Sequence, residues 1–196
     1  MKRLDKYIFP FHNRDHIFKD VLPATDTLAA KEGIYGEDLD LLRTAVLYHD
    51  AGFVEKYWDN EEIGARIAEH ELASFGFSSG QIGVVKSIIL ATKLPQDPKN
   101  KIEEIICDAD LFNLGGEGFW VSSWNLLWER ILHKTEIPVP YKPPLTFPEW
   151  LILQLEFQNG HKYFTISARD LRNGGKHGNI KLLEQVIEVL QPLYKI

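Results

Sequence analysis

Apolar side chains recur along this chain at intervals of three and four: Leu39, Leu42 and Val46, leading to His49; Ala65, Ala68, Leu72 and Phe75; Ile82, Val85 and Ile89, leading to Thr92. Such spacing gathers side chains on one face of an α-helix, whereas a strand would need alternation. No stretch alternates convincingly, so the expected fold class is all-α, a helical bundle. Turn-forming residues separate the stripes at Gly33 and Gly36, at Gly76 before Ser78, at Pro95 and Pro98, and at Gly115 and Gly116. Pro23 interrupts the first stripe, so that helix either kinks or ends near Leu22. Residues 137–148 hold Pro138, Pro140, Pro143, Pro144 and Pro148, which excludes a regular helix and predicts an extended connection. The expected organisation is a domain over 1–136 and a C-terminal helical subdomain over 137–196 packed on it.

With 196 residues, 44% of them apolar and 26% charged, the chain can bury a core without covalent staples. A formal charge of −6 gives no general attraction to long nucleic acid or to an anionic membrane. A small anionic substrate is compatible with it, because a bound cation reverses the field inside one cleft. No apolar run reaches the roughly 18 residues of a spanning helix, and Met1 to Phe9 lacks the pattern of a signal peptide, so the expected location is cytoplasmic. The lone Cys107 forms neither an internal disulfide nor a thiolate zinc site and reads as a small buried hydrophobe.

Three clusters carry chemistry. In Phe11-His12-Asn13-Arg14-Asp15-His16 two histidines four apart share one face at a helix start that Asn13 is suited to cap. In Leu47-Tyr48-His49-Asp50-Ala51-Gly52 an apolar helix ends in adjacent His and Asp before a glycine. In Ile105-Ile106-Cys107-Asp108-Ala109-Asp110 two carboxylates sit in an apolar run, where an unpaired charge is very costly. Imidazoles and carboxylates from three helices suit a divalent transition metal, manganese, iron, cobalt, nickel or zinc, with water in the open positions; magnesium is the alternative. Helical periodicity alone leaves Asp108 and Asp110 as alternatives.

The order His, then His-Asp, then Asp resembles the HD superfamily of metal-dependent phosphohydrolases over about residues 7–135. The resemblance implies a helical bundle whose metal ligands are His16, His49, Asp50 and a final aspartate in an Ala-Asp-hydrophobe context. Ala109-Asp110-Leu111 matches that context. It also assigns His12 as proton donor, since the segment is similar to one in cyclic-nucleotide phosphodiesterases. Asn60-Glu61-Glu62 resembles the place where many relatives carry His-Glu. Asn60 replaces that histidine, which favours one metal over two.

Glu61 shares a face with Ala65, Ala68 and Leu72 and is the candidate base, although Glu61 and Glu62 equally suit a helix dipole. Arg14 and Lys93 are the candidate phosphate contacts. Arg169, Arg172 and Lys176 form a basic stripe that is either solvated or anion-binding. Trp120, Trp124 and Trp128 recur every four residues and suit the core or an interface in a homodimer. The expected function is hydrolysis of a small phosphoester, a nucleotide by resemblance. A non-catalytic nucleotide-sensing module and an iron-dependent oxygenase are the alternatives.

Overall fold

The computed structural model describes residues 8–139, 143 and 146–194. Among the described residues the protein is all-α, with eight α-helices and no strand. They are α1 Leu22–Glu32, α2 Gly36–Tyr48, α3 Asn60–Ser74, α4 Ser79–Ala91, α5 Lys101–Asp110, α6 Phe119–Leu132, α7 Phe147–Gly160 and α8 Ile166–Tyr194. Each of the three apolar stripes lies on its own helix, α2, α3 or α4, and the expected turns separate them. Of the extended connection expected over 137–148, residues 140–142, 144 and 145 lie outside the described set, as do residues 1–7. No helix among the described residues is long and apolar enough to cross a membrane.

Local chemistry sets several helix starts. Ser78 and Gln81 bond reciprocally as a capping box on α4, and Thr146 with Glu149 does the same on α7. The Asn100 side chain accepts from the amides of Ile102 and Glu103 to open α5. Of the two outcomes expected at Pro23, the second holds: one element ends at Val21 and α1 begins at Leu22. The preceding turn, His16–Val21, is wound as a π-helix closed by Leu22 N–H on the Ile17 carbonyl, and Pro23 falls in the first turn of α1, where no donor is needed.

One core gathers Ile17, Leu28, Leu42, Val46, Ala68, Val85, Ile89, Ile105 and Ile106, all essentially inaccessible to solvent. Full burial of each Leu or Ile side chain contributes roughly 1.5–3 kcal/mol before entropy is counted. A second, smaller core joins Leu114 and Phe119 to Leu151, Leu183 and Ile187. Thus α6, from the N-terminal part, packs with α7 and α8, while Ile137, Tyr163 and Ala168 join the first core. The cores therefore do not divide at residue 136.

Helix α8 is fastened at three points. The backbone at Gly175 touches Gly115 so closely that a Cβ would overlap the Gly115 carbonyl. Asn179 donates to the carbonyls of Leu114 and Gly116 at 2.9 and 3.2 Å. Before the helix begins, Asp108 accepts from the amides of Phe164 and Thr165 and from the Thr165 hydroxyl, at 2.8, 2.7 and 2.7 Å.

The basic stripe is neither simply solvated nor gathered as an anion site. Arg172 lies 4.0 Å over the Phe112 ring, Lys176 is buried and donates to the His161 carbonyl, and Arg169 donates to the Tyr163 carbonyl. The tryptophans divide: Trp120 is half-buried against the second core, whereas Trp124 and Trp128 are 46% and 47% exposed and pack edge to face. Cys107 is buried, its thiol directed to the Ala91 carbonyl.

Candidate metal centre

The His16–Val21 turn, the end of α2 and the end of α5 converge on one buried point. Asn13 performs the capping role its position suggests, accepting from Asp15 N–H at 2.8 Å and His16 N–H at 3.4 Å. His16 opens the π turn, a geometry that re-aims a side chain relative to a regular helix. His49 follows the last turn of α2, its amide on the Ala45 carbonyl. Asp50 adopts φ −95° and ψ 2°, the narrow bridge region that carries the chain into the 3₁₀ turn Ala51–Val54. Gly52 lets α3 start against that turn, because a Cβ there would overlap the Asn60 carbonyl oxygen.

His16, His49 and Asp110 each present one donor atom, all within 4.8 Å of one another. Asp110 Oδ1 lies 3.2 Å from His16 Nε2 and 3.5 Å from His49 Nε2. Asp50 completes the group, with Oδ2 at 3.3 Å from His49 Nε2 and 3.8 Å from His16 Nε2. Both His49 Nε2 and Asp50 Oδ2 are buried without a hydrogen-bond partner among the described residues. Leaving such atoms unpaired costs about 1–3 kcal/mol each, so the pair fits a bound cation. The other His49 nitrogen donates to the Val46 carbonyl at 2.8 Å, so when a cation displaces the Nε2 proton the tautomer is fixed and the Nε2 lone pair is directed at the cluster.

The electrostatics agree with the donor geometry. Burial alone would lower the His16 pKa, but its bonds to Asp110 and Asp20 and the charge of Asp50 raise it to about 10. His49, likewise opposed by burial, rises to about 9 through Asp50 and Asp110. The two imidazoles overcome the effect of burial on Asp110 and hold its carboxyl well below the usual range. The site thus attracts positive charge strongly. Asp108 points elsewhere, into its bonds with Phe164 and Thr165, so geometry brings Asp110 and not Asp108 into the cluster.

A cavity of about 590 Å³ opens beside the cluster, and His12, Asp50, Asn60, Glu61, Lys93, Asp110 and Arg130 reach its wall. His12 stacks on Phe53 with ring centroids 4.3 Å apart. Its Nδ1–H donates to Glu129 Oε1 at 2.5 Å, and Glu129 Oε2 accepts from the amides of Phe11 and His12 at 2.8 and 2.9 Å. Burial works against the cationic imidazole, but Glu129 and then Asp50 raise the His12 pKa. With Nδ1 engaged, Nε2 is the nitrogen left to the cavity. Sequence reasoning missed Glu129, which is fully buried on α6 and 117 positions from its partner. Asn60 is buried on the same wall with its Oδ1 unpaired among the described residues.

Glu61 lies in the first turn of α3, where burial raises its pKa; Lys93 opposes that shift and the charges of Asp50 and Asp110 add to it. Lys93 is at the cavity but already paired, 2.7 Å from Glu62 and 3.3 Å from Asp59. Arg14 is not brought to the cavity: it is exposed, with its guanidinium 5.9 Å from the Phe18 ring centroid. Arg130, which the sequence did not single out, is on the wall instead, 6.0 Å from the Trp150 ring centroid. No family model matches the chain, and no curated protein or solved structure shows significant similarity to it.

Proposed function

We propose that this protein is a metal-dependent phosphohydrolase of HD type that cleaves small phosphoesters, nucleotides among them. The observation that carries the reading is the buried, unpartnered pair His49 Nε2 and Asp50 Oδ2, 3.3 Å apart beside His16 and Asp110. Those four residues would hold one divalent ion, manganese, iron, cobalt, nickel, zinc or magnesium. Asn60 supplies no imidazole, which leaves the donor set for a second ion incomplete. When bound, the ion supplies Lewis acidity, lowering the pKa of water and polarising a phosphoryl oxygen.

The chain's own residues do the rest. Glu61, kept basic by burial, orients a water and takes its proton as the water oxygen attacks phosphorus. His12, held by Glu129, delivers a proton to the ester oxygen as the P–O bond breaks, so an alcohol and inorganic phosphate leave. Arg130 sets a positive charge on the wall where phosphate charge builds. Phe11, Phe53 and Tyr57 shield the reacting end from bulk water.

The test is phosphate release from a panel of nucleotides and simple phosphoesters by protein loaded in turn with each of the six metals. Turnover with at least one metal, reduced at least a hundredfold in Asp50→Ala, is expected. Metal binding without turnover of any ester would instead make the cavity a sensing site, and oxygen consumption by the iron-loaded form would point to oxygenase chemistry.

A further inference from the structure

We infer that the phosphoester this centre accepts carries a single phosphate and an apolar organic group seated between α6 and α7; the inference rests on the phosphohydrolase reading above. A divalent ion at the centre is balanced by Asp50 and Asp110. The charge of Lys93 is taken up by Glu62 and Asp59, and that of His12 by Glu129. Arg130 then shares the remaining wall with the carboxylates of Glu61 and Glu156. A nucleoside triphosphate would bring three or four further negative charges into this wall, and sites that hold such groups surround them with several Lys or Arg donors and metal. Of the phosphate groups an ester can carry, a single one adds the least negative charge to this wall.

The α6 and α7 side of the cavity is largely apolar, with Arg130, Gln154 and Glu156 among its lining. Phe119 and Leu126 of α6 and Trp150, Leu153 and Phe157 of α7 line this side. The Ser123 hydroxyl, a polar group on this wall, is engaged by Trp150 Nε1–H at 3.0 Å. About 590 Å³ lies within the size range of sites for drug-sized organic ligands, well beyond what a bare phosphate fills. A phosphate held at the His/Asp cluster therefore projects its organic group onto aromatic and aliphatic surface, and burial of that group selects the substrate. The C-terminal helices become the specificity element of a centre whose metal donors all precede residue 111.

Binding of phosphonates, which lack the scissile ester bond, separates this inference from the catalytic one. Calorimetric titration of the full-length, metal-loaded protein would compare naphthylmethylphosphonate, methylphosphonate and an imido-linked nucleoside triphosphate. The expected result is a Kd for the naphthyl compound at least tenfold below the other two, a preference reduced at least tenfold in Leu153→Glu. Leu153 is partly exposed, so the charge is tolerated by the fold; Leu126→Ala, which removes apolar wall without adding charge, should narrow the same preference. Equal or tighter binding of methylphosphonate or of the triphosphate would overturn the inference, as would an unchanged preference in both variants. Preferential naphthyl binding alongside an inert ester panel would leave the pocket assignment standing and overturn only the hydrolase reading.

Discussion

Replacing Glu129 by Gln keeps the side chain's shape and removes its charge, which isolates what that carboxylate does for His12. The amide oxygen still accepts one set of hydrogen bonds, but the imidazole loses the anion that favours its protonated form. Glu129→Gln should lower kcat about a hundredfold with KM little changed, within the range for loss of acid catalysis. The loss should be much smaller for a p-nitrophenyl ester, whose leaving group needs no proton. Equal losses on both substrates would mean that Glu129 only supports the fold. The contrast with Asp50 explains what was legible in the sequence at this scale. Adjacent His49 and Asp50 ending an apolar stripe announce themselves locally, and the matched context singles out Asp110. Glu129 has no local signature, because its partner is created only when α6 crosses the N-terminal segment. Arg14 and Arg130 make the same point in reverse: proximity in sequence to the histidines put the first forward, and the fold puts the second at the cavity.

At the level of elements, the junction of α7 and α8 should be the acid-sensitive part of the molecule. His161 ends α7 with its ring against Phe157 and Tyr163, and neither ring nitrogen meets a hydrogen-bond partner among the described residues. Burial, and then the charge of Lys176, lower its pKa to about 4. The unfolded chain takes up a proton as pH falls through about 6.5, whereas the folded chain resists until about 4, so stability is present above the unfolded value and is lost across that window. After allowance for partial exposure the loss should be roughly 2 kcal/mol between pH 7.5 and 4.5. Urea denaturation of wild type and His161→Gln at both pH values measures it: the variant should lose less stability on acidification, and parallel losses would rule out His161 as the source. Helix positions were legible because the stripes of α2, α3 and α4 are local. The π turn before Pro23 was not, since it depends on how that segment packs against α5. The basic stripe of α8 was ambiguous for a related reason: Arg172 and Lys176 find their partners, Phe112 and the His161 carbonyl, only after α8 has docked.

For the whole molecule, the two cores interlock across the expected subdomain boundary. Deleting residues 137–196 removes Tyr163 and Ala168 from the first core and strips Phe119 of Leu151, Leu183 and Ile187. It also leaves the buried Asp108 carboxylate without the three donors it accepts. A fragment of residues 1–136 should therefore fail to give a cooperative thermal transition, whereas a sharp transition near that of the full chain would show that the N-terminal part stands alone. The all-α class was legible from spacing, but not this interlocking, which depends on contacts between residues more than a hundred positions apart. Whether four side chains from three segments hold an ion decides what this molecule can do. The most direct measurement is metal content after equilibration with zinc or manganese and removal of free ion, by elemental analysis of wild type, His16→Ala and Asp110→Ala. One tightly held ion per chain, lost in both variants while their helical circular dichroism persists, is the predicted result. A chain that retains no ion, or variants that keep it, would contradict the account.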